Sequence, residues 1–314
     1  MSTAESTTGS TFQCSPALHR RDGETCLSSA ALERLRKTWN KTHPRHKINT
    51  KTRKHRPQEA GQSGNNQLWK ELKDAMSSKV KCDTEYCAVK KMPGLSETEK
   101  DALIDTFFKP EKPTKWDKKP TEWLDSDNIA DVMRQYEKAH KNFTFIGPVP
   151  IDFDAKDPNS TWGKCIINEL CHLNLAECKQ KGKTKVGIIF NLDKHDEPGS
   201  HWVCGFIDLD KSAAYYFDSY GYEPPAEVVA LLKRCKDQGC KTILYNDIRH
   251  QRKGSECGMY CLFVLICLLR GKEFSKICQS VVDDDTMNSF RDVIFAEEKV
   301  NKNALNKAVK TLCL

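Results

Sequence analysis

His250-Gln251-Arg252-Lys253-Gly254-Ser255-Glu256-Cys257-Gly258-Met259-Tyr260-Cys261 sets a cysteine at the mouth of a long apolar run, six residues after a glutamine. Residues 257–270 are apolar on all sides and end before Gly271, which predicts a buried central helix starting at Cys257. A thiol at that position is a prepared nucleophile, because the exposed amides of the first turn favour thiolate over thiol. Gln251 can offer an amide N–H to an oxyanion forming beside the sulfur, and Gly258 lets a substrate and the Cys257 amide approach closely. Cys261 and Cys267 lie deeper in the same helix, without the terminal field or the solvent access that reactivity needs.

Working upstream, three strand-like runs occupy 185–192, 201–209 and 212–219. A tight turn at Leu209-Asp210 would pair Ile207 with Ser212, Gly205 with Ala214, and His201 with Asp218. Residues directly opposite across antiparallel strands share a face. Asp218 could then accept the imidazole N–H of His201 and hold one tautomer, and a slip of one residue would part the pair. His195 reads as a solvated loop residue, His172 as structural, and His250 has no acid at a comparable cross-strand place. Each residue alone has a bland reading as core or turn. The ordered set of His, Asp, Gln and Cys-Gly predicts thiol-based nucleophilic catalysis.

Further out, 31–40, 67–77, 96–108 and 126–140 read as helices, the last with Ser126 as N-cap. A helix follows Pro224-Pro225 to about Lys236, then a strand at 241–248 and a surface helix at 285–296. Strands and helices in separate runs predict an α+β fold. The expected divisions are a flexible basic arm over 1–66, a helical arm and connector over 67–120, and a catalytic domain over 121–314. Gly61 to Asn66 has a linker composition, and Pro110, Pro113 and Pro120 mark the connector.

The 314 residues carry a net charge of +7. Ten Lys or Arg and three His without one acid lie between Arg34 and Gln58, so the remainder is slightly acidic. Contact with DNA through residues 34–58 is one reading of this segment, and a solvated tail is the other. A mean hydropathy of −0.64 and no long apolar run predict no membrane insertion. No secretory leader is evident, so the fifteen cysteines are expected to be reduced and mostly buried. No Cys-x-x-Cys occurs, although a zinc site built on Cys82 and Cys87 with distant histidines stays open.

His201-Trp202, Asp218, Gln251 and Cys257-Gly258 together resemble the SUMO-specific and adenovirus-type cysteine proteases. Trp123-Leu124-Asp125-Ser126-Asp127-Asn128-Ile129 is similar to the tryptophan-led helix start of that family. Asn246 to Arg252, Glu256-Cys257-Gly258, Asp283-Asp284-Asp285-Thr286-Met287 and Phe290-Arg291 resemble the maturation proteases of nucleocytoplasmic large DNA viruses, the African swine fever virus type. Cys26-Leu27-Ser28, Cys82-Asp83 and Cys87 echo the arm domain of that branch. Where members of the branch carry Asn as third catalytic residue, this chain has Asp218.

The resemblance implies a papain-like, adenovirus-protease-like catalytic domain with a central mixed sheet and a buried nucleophile helix, plus a mostly helical N-terminal arm domain. It implies Cys257 as nucleophile, His201 as base, Asp218 as its orienter, Gln251 and the Cys257 amide as oxyanion donors, and Trp202 as the ring that narrows the cleft for glycine. The implied reaction is cleavage of viral structural precursors after Gly-Gly-type residues through a thioester, without metal or organic cofactor, in the virion and host cytoplasm. Ubiquitin-like conjugates are the alternative substrates. An idle scaffold or nucleic-acid-binding protein is a reading from another class, which labelling of Cys257 would exclude.

Overall fold

The computed structural model describes residues 13–18, 24–50, 60–77, 81, 82, 84–158, 160 and 163–299. The chain divides into two compact units, one formed by residues 1–113 with 289–314 and the other by residues 114–288.

The first unit is helical. Helix α1 (Ser29–Thr42) starts where the Ser28 hydroxyl accepts the Ala31 N–H, and buries Ala31, Leu32, Leu35 and Trp39 along one stripe. Those side chains meet Leu68, Leu72 and Met76 of α2 (Ala60–Ser77) in one core. Residues 29–42 are therefore part of a packed core, unlike the flexible arm expected there. Residues 51–59 of the basic run lie outside the described residues. Gly61 to Asn66, read as a linker, is helical: Asn66 Oδ1 accepts the Thr25 N–H at 3.0 Å and Asn65 Oδ1 accepts the Ser29 hydroxyl at 2.9 Å. Packing overrides the weak helix propensity of that stretch.

The short α3 (Glu85–Lys90), which the sequence reading passed over, is almost wholly buried. Helix α4 (Glu97–Phe107) opens on a reciprocal Ser96/Glu99 capping box. The chain returns to this unit at residue 289. Ala296 donates to the Pro110 carbonyl at 2.8 Å, and Lys112 Nζ reaches Asp292 at 2.9 Å and Glu297 at 3.0 Å. The unit boundaries thus differ from 66/67 and 120/121, and the tail separates from 121–288.

The second unit is built on a five-stranded sheet in sequence order: β1 (Phe143–Pro150), β2 (Lys185–Asn191), β3 (Trp202–Asp208), β4 (Ala213–Phe217) and β5 (Thr242–Tyr245). The outer pairs β1/β2 and β4/β5 are parallel and the inner pairs antiparallel, so the sheet is mixed and the fold is α+β, as expected. Helix α5 (Ser126–Ala139) packs on β1, and α9 (Cys257–Leu269) packs on β3 and α5. Val186, Ile188, Phe190, Val203 and Ile207 pack with Leu231 and Leu232 of α8 (Ala226–Asp237) and Leu175 of α7 (Leu175–Gln180). A single-turn helix, α6 (Asn168–Cys171), precedes α7.

Every residue of α9 is buried, which accounts for a helix apolar all round. Strand β1 went unread because Pro148 and Pro150 interrupt it. It is an edge strand, and its register breaks between Ile146 and Val149, where proline is tolerated. The N-cap of α5 is Asp125, with Asn128 closing a capping box, so the expected Ser126 cap is displaced by one residue. The expected surface helix 285–296 is instead α11 (Asp284–Ser289) and α12 (Arg291–Ile294), with Met287, Phe290, Val293 and Ile294 buried; α10 (Phe274–Gln279) precedes them.

The β3/β4 register also differs. Ile207 pairs with Ala214 and Gly205 with Tyr216. The turn spans four residues, Leu209 to Ser212, with Ser212 at φ +49°. A shift of two residues leaves every side chain on its expected face.

Candidate active site

Continuing the β3/β4 register places Tyr220, not Asp218, opposite His201. The imidazole reaches Asp218 diagonally instead: His201 Nε2–H donates to Asp218 Oδ1 over 2.8 Å. Diagonal neighbours remain within reach on one sheet face. The Tyr220 ring fills the opposite place and lies over His201, with centroids 4.9 Å apart. Its backbone N–H donates to the same Asp218 Oδ1 at 2.8 Å. The backbone carbonyl of Asp218 accepts from Asn246 Nδ2 at 2.8 Å. Asp218 and Asn246 are both buried.

With Nε2 committed to Asp218, Nδ1 is the ring nitrogen left for another partner. The Cys257 thiol lies within hydrogen-bonding reach of the imidazole. Burial alone would lower the pKa of His201. The Asp218 hydrogen bond, with Cys257 adding to it, outweighs that burial and pushes the group up to about 9. Cys257 is the first residue of α9, and no side chain caps that helix start. Its amide is one of the first-turn N–H groups that have no partner within the helix.

Gln251 is wholly buried. Its Oε1 accepts the Ser219 hydroxyl at 2.7 Å, and its Nε2 donates to the Lys253 carbonyl at 2.6 Å. A carbonyl can only accept, so the amide orientation is fixed and the second Nε2–H is left over. The Ser219 carbonyl accepts from the His250 and Gln251 amides at 2.9 and 2.8 Å, which ties the segment carrying Gln251 to the segment carrying Asp218. Gly221, at φ +78°, allows that approach: a Cβ there would stand 2.8 Å from the Ile248 carbonyl carbon.

Trp202 Nε1 donates to the Leu124 carbonyl at 3.0 Å. A Cβ on Gly258 would lie 3.1 Å from Leu124 Cβ and 3.3 Å from Trp202 Cδ1. Gly258 thus lets Trp202 and Leu124 pack closely against the start of α9. Trp202 borders two adjoining cavities. One, of about 290 Å³, is lined by Trp123, Leu124, Asn191, Ser200 and His201. The other, of about 340 Å³, is lined by Pro148, Pro150, Ile166, Ile167 and His195.

Three other histidines of this unit have partners of their own. His250 is buried, donates its Nε2–H to the Cys278 carbonyl over 2.9 Å, and has its pKa lowered by burial. His195 is an exposed loop residue, as expected, with Nδ1 2.7 Å from Asp152 Oδ2. His172 Nδ1 lies 3.1 Å from the Asn168 carbonyl.

Among the described residues, three cysteine pairs are disulfides: Cys14–Cys26, Cys82–Cys87 and Cys165–Cys171. Uniformly reduced thiols were expected, but Cα separations of 5.1, 5.5 and 6.3 Å are within bridging range. Cys82 and Cys87 are thereby engaged with each other. Among the described residues, Cys165, Cys171 and His172 bring three potential metal-ligand atoms within 4.8 Å, with the two sulfurs already joined.

Residues 180–299 match the Ulp1 protease family, C-terminal catalytic domain. A protein of Acanthamoeba polyphaga mimivirus named as a thiol protease is 30% identical, covering 91% of this chain and 93% of its own. A cysteine protease of African swine fever virus is 26% identical over 73% of this chain and 89% of its own. The crystal structure of an African swine fever virus protease superposes with a TM-score of 0.61 at 20% identity, covering 93% of this chain and 97% of that one. The chain therefore belongs to the Ulp1-type cysteine proteases. Both of these relatives are viral proteins, and the first aligns over nearly the whole of both chains.

Proposed function

We propose that the protein is a viral endopeptidase in which Cys257 attacks the scissile carbonyl and His201 carries the proton to the leaving amine. Asp218 holds the His201 tautomer and favours the imidazolium. The second Nε2–H of Gln251 and the Cys257 amide receive the oxyanion, and water then cleaves the thioester. The observation that carries this reading is the His201 ring held between the Asp218 carboxylate and the thiol at the start of α9.

The substrates we infer are viral structural precursors cut after Gly-Gly-type sequences, in the virion and the host cytoplasm. Trp202, pinned by the Leu124 carbonyl, borders the cleft beside His201, and we infer that its ring favours residues without side chains there. A viral thiol protease aligns over 91% of this chain, and a protease carried by a virus favours viral precursors as its substrates. Digesting virion proteins with the enzyme and with Cys257→Ala, then sequencing the new N-termini by mass spectrometry, tests it. New N-termini that directly follow Gly-Gly in the precursor sequences, made by the active enzyme alone, support the assignment, and their absence removes it.

A second reading has one specific support: an African swine fever virus relative, 27% identical over 62% of this chain, is named a SUMO-1 cysteine protease. Cleavage of folded SUMO or ubiquitin conjugates in preference to Gly-Gly peptides would favour it. For the basic segment 34–58 we infer nonspecific DNA contact, carried by its unbroken positive charge. Part of that charge is internally paired, since Arg36 bridges Glu33 at 2.8 Å and Arg34 bridges Glu99.

A further inference from the structure

The loop between Gln251 and Cys257 has little to hold it. Arg252, Lys253 and Gly254 are exposed, and a Cβ on Gly254 would meet nothing within 4 Å. Yet the Lys253 carbonyl is one of the two groups that fix the Gln251 amide, the other being the Ser219 hydroxyl. One buried side chain reaches into this loop from elsewhere in the sequence. Asp284, in the first turn of α11, accepts the Arg252 N–H at 2.9 Å and the Lys253 N–H at 3.0 Å, both on Oδ2. Its Oδ1 lies 3.3 Å from the Tyr260 hydroxyl, which donates at 2.7 Å to the Val282 carbonyl. Tyr260 stands on α9 three residues after Cys257.

We propose that Asp284 is a positioning residue for the oxyanion pocket, acting on Gln251 through the backbone of Arg252 and Lys253. This rests on the reading of Gln251 as an oxyanion donor. A carboxylate that accepts two amides in a buried setting makes strong, directional hydrogen bonds. It fixes the N–H side of Lys253 while the Gln251 amide grips its carbonyl side, so the loop has one orientation. The link runs from α11 through the loop to the amide, and the Tyr260 contact ties the same carboxylate to the helix that bears the thiol. Its neighbours do different work. Asp283 caps the Thr286 N–H at 2.9 Å, and Asp285 pairs with Lys253 Nζ at 2.6 Å in the open, where such pairs contribute little.

Two reagents separate positioning from folding in the full-length protein. Acylation of Cys257 by p-nitrophenyl acetate adds the thiolate to a carbonyl, moves the π pair onto oxygen, and expels p-nitrophenolate to leave a thioester. Alkylation by iodoacetamide displaces iodide at a saturated carbon and creates no oxyanion. Asp284→Ala is expected to slow acylation about tenfold or more while alkylation stays within about twofold. Asp284→Asn should restore most of the acylation rate, because its amide oxygen can take the Oδ2 place. In a Gln251→Ala background, Asp284→Ala should add less than about twofold, since the two act as one unit. An equal further loss in both backgrounds overturns the positioning role, as does equal slowing of both reagents in Asp284→Asn. A Gln251→Ala protein that acylates at the wild-type rate overturns the oxyanion reading and the proposal together.

Discussion

Ser219 donates its hydroxyl to Gln251 Oε1 over 2.7 Å, so the residue after Asp218 sets the amide that stands six residues before Cys257. One dipeptide thereby serves two partners: Asp218 holds His201 and Ser219 holds Gln251. Ser219→Ala should leave KM for a Gly-Gly peptide nearly unchanged and lower kcat about tenfold, part of the loss expected for removing the donor itself. Steady-state kinetics of the two variants side by side check this; a kcat equal to wild type would count against it.

Removing Cys257 or His201 should abolish peptide hydrolysis, whereas Gln251→Ala should retain activity reduced by about 10²–10³-fold. Labelling by iodoacetamide should disappear in Cys257→Ala and persist in Cys261→Ala. Cys261 is buried, and desolvation raises its pKa well above the usual thiol range. Mass spectrometry of the labelled peptides distinguishes the two.

The pH dependence follows from the sign of the His201 shift. Its folded pKa, about 9, stands above the ordinary imidazole value of about 6.5, so the protonated form is favoured by the fold. The associated stability is fully present below about pH 6.5 and is lost as pH rises through about 9. On the proposed mechanism the imidazolium protonates the leaving amine, so kcat/KM should fall on the alkaline side near pH 9. Asp218→Asn should move that limb to lower pH. A limb that stays in place would show that Asp218 does not hold the charge.

Gly258→Ala places a methyl group 3.1 Å from Leu124 Cβ and 3.3 Å from Trp202 Cδ1, beside the cleft. Overpacking of this kind costs about 1–3 kcal/mol, so thermal melting should show a lower Tm. Because Trp202 must shift, KM for Gly-Gly peptides should rise as well. Unchanged KM would mean that Trp202 does not shape the substrate path.

If the basic segment contacts DNA, replacing Lys51, Arg53, Lys54 and Arg56 with Gln should weaken retention on a DNA column and flatten its salt dependence by up to about four slope units. Substitution is preferable to truncation at residue 66, which would remove α1 and its buried Leu32, Leu35 and Trp39. Peptide hydrolysis by the substituted protein should be unchanged.

The residues at the site were legible because chemistry restricts them: a thiol at a helix mouth, an imidazole, a carboxylate and an amide in order. Their clamps were not. The partners of Ser219 and Tyr220, Gln251 and His201, lie far along the chain, so no periodicity marks them. Asp284 looked like one of three interchangeable acids until burial singled it out. Strand β1 was hidden by its prolines, which only an edge position and a broken register make acceptable. The helical nature of Gly61 to Asn66 was hidden because its cause is tertiary, in the bonds that Asn65 and Asn66 make to Ser29 and Thr25.

The Leu209–Ser212 reversal carries a rule of parity. Lengthening or shortening that connection by a pair of residues would slide one strand along the other yet keep the imidazole and the carboxylate on a common side. Adding a single residue would turn one of them away. A library of turn variants should therefore alternate between working and silent enzymes as its length grows one residue at a time.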